Sequence, residues 1–204
     1  MKRFCPALLL IGLLGWMAGL PLSAAAQDLT TTISTSGGEV IIEDDSNLQV
    51  DDPFSENPVL ILTPKADFER ARAMIQNGTE ITTYLGERIR YHAATDAFLL
   101  EGNGRIERGQ DFLEGPTRIE YIPDENIMRL VGNEANPAQF SVITQDRRNI
   151  AVAREIHFLF EEVEGDRELK RIVTVDTQSA RMVPGNYEAS APLMRKMSGP
   201  GSTP

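Results

Sequence analysis

The 204-residue chain has one cysteine, Cys5, and it stands ahead of the first long apolar run. No disulfide framework can be built from it, so the fold must rest on a core of its own. Histidine is nearly as scarce. His92 and His157 lie far apart, and neither a Gly-x-Ser-x-Gly elbow nor a His-Glu-x-x-His pair occurs. Nothing in the sequence sets a nucleophile beside its base or spells a zinc site. Basic residues are also in deficit, 20 Lys and Arg against 30 Asp and Glu, for a net charge of −10. Nucleic-acid binding needs a concentrated basic face, so no nucleic-acid partner is expected. The many carboxylates leave a paired-carboxylate glycosidase open on composition. Asp and Glu at alternate strand positions are, however, the usual wet face of a sheet. The expectation is a protein that is not an enzyme and uses no metal or cofactor.

Lys2 and Arg3 precede an apolar run over residues 7–20, which contains Gly12, Gly15 and Gly19 and stops at Pro21. Small residues follow at Ser23, Ala24, Ala25 and Ala26. This is the layout of a secretory signal, and the run is short of the roughly 20 apolar residues that span a bilayer. Residues 1–26 are therefore expected to be removed before Gln27; retention as an inner-membrane anchor is the alternative. Cys5 precedes the run, where a lipoprotein cysteine would follow it. Loss of Lys2 and Arg3, with no acid lost, takes the net charge from −10 to −12. The remaining chain reads as one domain, residues 27–193, and a flexible tail, residues 194–204, in which Arg195-Lys196 gives way to Ser, Gly and Pro.

What the sequence does contain is a repeat. Arg88-Ile89-Arg90-Tyr91 followed by Gly102-Asn103 returns thirty positions later as Arg118-Ile119-Glu120-Tyr121 followed by Gly132-Asn133. That length suits one supersecondary unit, which must stack on a neighbour to bury its apolar face. The positions that stay apolar in both copies are Ile89 and Ile119, Tyr91 and Tyr121, Phe98 and Met128, Leu100 and Leu130. They are spaced by two within each strand, the strand period. Between them polarity is not kept: Arg90 corresponds to Glu120, Leu99 to Arg129, Glu101 to Val131. Turn compositions divide each copy at Ala94-Thr95-Asp96 and at Pro123-Asp124-Glu125-Asn126. Each copy reads as a β-hairpin, one face buried and the other wet.

The flanks are less regular. Residues 30–38, rich in Thr and Ser, read as a mobile lead-in, and Val40-Ile41-Ile42 as a short strand. Glu43-Asp44-Asp45 and Asp51-Asp52 bracket Leu48 and Val50; their spacing matches no calcium loop, so a solvated acidic loop is expected. Thr63-Pro64 opens a stretch, residues 65–76, in which Phe68, Ala71 and Ile75 share a helical face before Asn77-Gly78, which predicts one short helix. Past Phe140 three β-rich runs follow, residues 141–144, 156–160 and 172–175, with Ile156, Phe158 and Phe160 on the core side.

Over residues 86–140 the sequence resembles the OstA-like family of periplasmic lipopolysaccharide-transport proteins. The resemblance runs from Ile89 and Tyr91 through the turn at Thr95-Asp96, then Phe98 to Leu100, Gly102-Asn103, Leu113-Glu114-Gly115 and Ile119 to Tyr121. It ends at Gly132 and Pro137-Ala138-Gln139-Phe140. It implies an open, twisted β-jellyroll of stacked antiparallel hairpins whose two sheets enclose an apolar groove. It also implies a periplasmic carrier of lipopolysaccharide. The lipid A acyl chains would lie among Ile89, Tyr91, Phe98, Leu100, Ile119, Tyr121, Met128, Leu130 and Phe140. The implied partners are inner-membrane and outer-membrane components of the transport assembly and further copies of the chain, joined head to tail. Alternation alone leaves a filled sandwich and an open groove equally served. Three other readings stay open: a membrane-anchored relative in the same pathway, a scaffold that binds protein through a sheet edge, and a carbohydrate-active enzyme on a jellyroll.

Overall fold

The computed structural model describes residues 30–35, 38–53, 55, 58–144, 147–163 and 166–184. The expected signal, residues 1–26, and the expected tail, residues 194–204, lie outside the described residues. Fifteen strands follow one another: β1 (Thr31–Thr35), β2 (Gly38–Ile42), β3 (Ser46–Asp51), β4 (Val59–Pro64), β5 (Ala71–Asn77), β6 (Glu80–Gly86), β7 (Arg88–His92), β8 (Phe98–Glu101), β9 (Gly104–Arg108), β10 (Asp111–Gly115), β11 (Arg118–Ile122), β12 (Ile127–Val131), β13 (Ala138–Thr144), β14 (Arg147–Val163) and β15 (Asp166–Pro184). Among the described residues the only helical element is a single 3-10 turn, Pro123–Glu125.

The repeat is realised as hairpins. β7 pairs with β8 through Ile89 opposite Leu100 and Tyr91 opposite Phe98. β11 pairs with β12 through Ile119 opposite Leu130 and Tyr121 opposite Met128. The two hairpins then join directly, Leu100 opposite Ile119 and Phe98 opposite Tyr121. Thirty residues therefore advance the chain by one hairpin along the sheet. All pairings are antiparallel, in the order β1-β2-β5-β6-β9-β10-β13-β14-β12-β11-β8-β7-β4-β3, with β15 on β14. Successive hairpins alternate between the two arms of this path, so the sheet is folded into two facing layers. β14 belongs to both: one part pairs with β13, from Thr144 opposite Arg147 to Ala138 opposite Ala153, and the next with β12, from Val131 opposite Glu155 to Ile127 opposite Leu159. At the other end β1 and β3 terminate the two arms, each paired on one side only among the described residues. The fold is all-β, an open jellyroll-like arrangement of hairpins.

The corners where the chain crosses between layers are short because glycine allows it. Gly104 faces Gly115 in register, and a Cβ on Gly104 would meet Leu100, Ile119 and the Gly115 carbonyl at 3.2–3.3 Å. A Cβ on Gly115 would fall on the Arg118 carbonyl, and one on Gly132 on the Ala138 amide. Corner backbones bond from rung to rung: Glu87 N to Gly102 O at 2.9 Å, Gly102 N to Thr117 O at 3.1 Å, Thr117 N to Val131 O at 3.0 Å. The repeated Gly-Asn does different work in the two copies. Gly102 and Asn103 turn the chain with φ of 65° and 48°. Asn133 instead accepts the Ala135 and Asn136 amides at 3.0 and 2.8 Å on its side-chain oxygen, which accommodates the longer link to β13.

Between the layers lies one continuous core, and Ile156, Phe158 and Phe160 face it as expected. The outer faces carry cross-strand charge pairs, Arg129 with Glu120 at 3.2 Å and Arg105 with Glu114. Each is worth a few tenths of a kcal/mol, on the order of exposed pairs generally.

Three expectations are corrected. The stretch of residues 65–76 is not a helix: residues 65–70 form turns and bends, and Ala71–Asn77 is strand β5, paired with β2 and β6. Ala71 and Ala73 are buried at strand spacing, while Phe68, which completed the helical stripe, is 50% exposed. The supposed lead-in contains β1, whose threonines suit an edge strand and whose Ile33 packs on the core. The acidic loop contains β3, whose Leu48 and Val50 stand opposite Leu62 and Leu60 on the inward face yet stay exposed at the end of the sheet. Its neighbouring acids are paired: Asp44 with Lys65, and Glu43 with Arg72 at 2.9 Å.

The crowding at the corners makes a prediction. Gly115→Ala should cost at least about 2 kcal/mol in chemical denaturation, because backbone must move. Gly78→Ala, in the open β5–β6 turn at φ 63°, should cost about 1 kcal/mol, the left-handed penalty alone.

Candidate functional site

The nine residues singled out from the sequence come together. Ile89, Tyr91, Phe98, Leu100, Ile119, Tyr121, Met128 and Leu130 form a ladder across β7, β8, β11 and β12, and Phe140 reaches it from β13 in the opposite layer. Each is only 0–5% exposed. The interior between the layers is thus filled by side chains of the protein itself.

The filling is graded from corner to mouth. Near the glycine corners stand the aliphatic residues Ile89, Leu100, Ile119 and Leu130. Further out, toward the hairpin turns, stand the rings. Tyr84 of β6 meets Phe98 of β8 edge-on across the layers, centroids 5.1 Å apart. Phe98 continues to Tyr121 at 5.6 Å and Tyr121 to Phe160 at 6.0 Å, while Phe140 meets Phe158 at 5.3 Å. Such contacts add about 0.5–1.5 kcal/mol each beyond the area they bury.

Beyond the rings the mouth is polar on both sides, a feature the sequence reading did not single out. In the first layer Arg108 has the inward parity of Gly104 and Ile106, and its side chain is 14% exposed. Its Nε donates to Thr82 Oγ1 at 2.8 Å and its Nη1 to Glu80 Oε2 at 3.4 Å. Asp111 is buried opposite it in register and accepts the Ile143 amide at 2.9 Å. In the second layer the β7–β8 turn carries Asp96 at φ 57°, and the Tyr91 hydroxyl donates to its Oδ1. Its other oxygen is buried with no hydrogen-bond partner. Thr35 of β1 lies 3.5 Å from the same Tyr91 hydroxyl. Arg167 of β15 donates to the Tyr121 hydroxyl at 2.6 Å, its guanidinium 5.9 Å from that ring's centroid.

Burial is the largest influence on the titrating groups here. It raises the Asp96 carboxyl above its usual range, against the pull of the Tyr91 hydrogen bond and Arg167. Tyr91 is driven up by burial and by the Asp96 hydrogen bond, and Tyr121 by burial against the opposing Arg167. Tyr84, buried between the layers, is pushed up to about 12 by desolvation, with Arg108 opposing and Asp96 and Tyr121 adding to it.

Compared with protein-family models, with curated proteins and with solved structures, the chain matches none. Among the described residues no helix is long and apolar enough to cross a membrane, and no group of three or more His, Cys, Asp or Glu is placed to hold a metal ion. His92 and His157 both lie on the outward parity, His157 at 3.3 Å from Glu155. A pocket of about 690 Å³ lies apart from the nine, lined by Glu43, Asp44, Asp45, Asp67, Phe68 and Arg72 among others. Parity could have found the mouth arginine and aspartate: Arg108 and Asp111 fall in step with Ile106 and Leu113 on the buried face.

The Tyr84 environment makes a prediction. Its folded pKa of about 12 exceeds the ordinary 10.0, so the neutral phenol is the form that folding favours. The stability this contributes, roughly 2–3 kcal/mol, is fully present below pH 10 and is lost as pH rises toward about 12. Denaturation midpoints followed through that window should fall steeply for the native chain. They should fall less for Tyr84→Phe, in which only the other raised tyrosines still titrate.

Proposed function

We propose that this protein is a non-catalytic carrier of lipopolysaccharide, which takes lipid A acyl chains between its two layers as they pass from the inner to the outer membrane through the periplasm. One observation carries the reading. The apolar stripe from Ile89 and Leu100 through Ile119 and Leu130 runs unbroken from strand to strand, at right angles to the chain direction, and continues through Ile156 of β14. A track of this kind suits a long chain better than a compact ligand.

The energetics fit the task. Each methylene kept from water is worth about 0.8 kcal/mol, so a dozen-carbon chain crossing bare would face on the order of 10 kcal/mol. Over the nine residues the layers cover each other, so this stretch of the track is not left in water. When the mouth opens, acyl chains replace the opposite layer's side chains, and apolar contact is exchanged for apolar contact at little cost in hydration. No chemistry is required, and the sequence has no nucleotide-binding loop to supply energy, which must come from the assembly.

The sheet edges serve the assembly. β15, nineteen residues long, pairs only with β14 among the described residues, and β1 and β3 end the arms at the other extremity. Strand addition at these edges joins copies head to tail and engages the inner-membrane and outer-membrane components at the two ends of a bridge.

Photocrosslinking in cells tests the reading. A probe at Tyr121 or Met128, on the inner face, should capture lipopolysaccharide, whereas a probe at Glu120 or Arg129, on the outer face, should not. Absence of adducts at all four positions in a folded, exported protein would exclude the carrier and favour a scaffold that binds protein through its edges.

A further inference from the structure

We propose that Asn77 is a site of spontaneous covalent modification, in which the Gly78 backbone nitrogen displaces the side-chain amide and leaves aspartate or isoaspartate at the turn between β5 and β6. The inference does not depend on the carrier reading.

The sequence has two Asn-Gly steps, Asn77-Gly78 and Asn103-Gly104. Asparagine is a chemically labile side chain, and a following glycine has no Cβ to obstruct a ring that closes between the two residues. Sequence therefore ranks the two steps alike. The fold separates them.

Asn103 is held in place. Its Nδ2 donates to Glu87 Oε1 at 2.7 Å, and its backbone amide donates to Pro116 O at 2.8 Å. Gly104 after it is buried in a corner, in register with Gly115 and with Leu100 and Ile119 against it. To react, this side chain must leave a carboxylate and the ring must form in occupied space. Asn77 meets neither obstacle. Asn77, Gly78 and Thr79 are all exposed, and a Cβ built on Gly78 would meet no atom within 4 Å. Gln76 Nε2 donates to Gly78 O at 3.1 Å, which fixes the carbonyl and not the attacking nitrogen.

In the reaction the Gly78 nitrogen bonds to Asn77 Cγ as the Cγ–Nδ2 bond breaks, and the side-chain nitrogen leaves as ammonia with the amide proton. Water then opens the five-membered ring at either carbonyl carbon. Opening at the side-chain carbonyl gives aspartate; opening at the main-chain carbonyl gives isoaspartate, with Gly78 attached through the former side chain. Both products set a new carboxylate opposite Glu80 in register, and like charges so placed repel. Isoaspartate also adds a backbone carbon next to the two-residue turn, so the Asn77–Glu80 rung is lost before the pairing of Gln76 with Ile81.

The test follows the purified folded chain at physiological temperature and pH, sampled over time, digested in heavy-oxygen water and read by peptide mass spectrometry. Heavy oxygen marks conversion that occurs during the digest, so only unlabelled acid is counted. The Asn77 peptide should turn into a mixture of aspartate and isoaspartate, the latter also taking label from an isoaspartyl methyltransferase. Asn103 should lag by at least about tenfold, the rate cost of first giving up one hydrogen bond to a charged group. In denaturant the two should convert at similar rates, and Gly78→Ala, whose methyl obstructs closure, should slow Asn77 alone. Conversion at Asn77 no faster than at Asn103 in the folded chain would overturn the inference. A gap of the same size in denaturant would overturn it too, by tracing the difference to local sequence and not to the fold.

Discussion

The architecture depends on how closely the two layers approach at the glycine corners. Gly104 and Gly115 face each other in register with Leu100 and Ile119 against them, and Gly132 admits the start of β13 in the same way. Side chains at these points would wedge the layers apart. Without them the interior is narrow at the corner, where aliphatic residues suffice, and wider toward the turns, where rings are needed to fill it. The gradient from aliphatic to aromatic to polar follows from that geometry. It also leaves the mouth less firmly tied than the corners, which are bonded rung to rung while the mouth is held chiefly by side chains.

A filled interior and a carrier role are compatible because hydrophobic contact does not specify its partner. On the proposed reading, the side chains of one layer occupy the space that acyl chains would take. The protein then covers its own track, and the cost of keeping that apolar surface in water is avoided. The acidic exterior keeps such molecules apart, while the edge strands remain available for directed pairing.

The hairpins of the repeat were legible because two copies reveal which positions stay apolar and which drift: Ile89 and Ile119 keep their character while Arg90 becomes Glu120. Eight of the nine interior residues were legible for the same reason, Phe140 lying outside the repeat, although whether they line a groove or fill a core was not. The region before Glu80 was misread where a single copy fitted two periods. Phe68, Ala71 and Ile75 satisfy the helical spacing, and Ala71, Ala73 and Ile75 the strand spacing; pairing with β2 and β6, which no local signal announces, decided between them. β1 was missed because an edge strand needs little hydrophobicity, only Ile33 inward. Asp96 and Arg167 could not be placed from sequence, since one belongs to a turn and the other reaches Tyr121 from a strand 46 residues away.

The central claim is that the interior opens at the mouth to admit a chain. It is tested most directly by replacing Tyr84 and Phe98, which meet across the layers, with cysteines in a chain from which Cys5 has been removed. A short thiol-to-thiol crosslinker would then join the layers. With the crosslink in place lipid A uptake should be abolished, and the same double variant left uncrosslinked should still take it up. Equal uptake by the crosslinked and uncrosslinked forms would contradict the account, because the ligand would then bind without separating the layers.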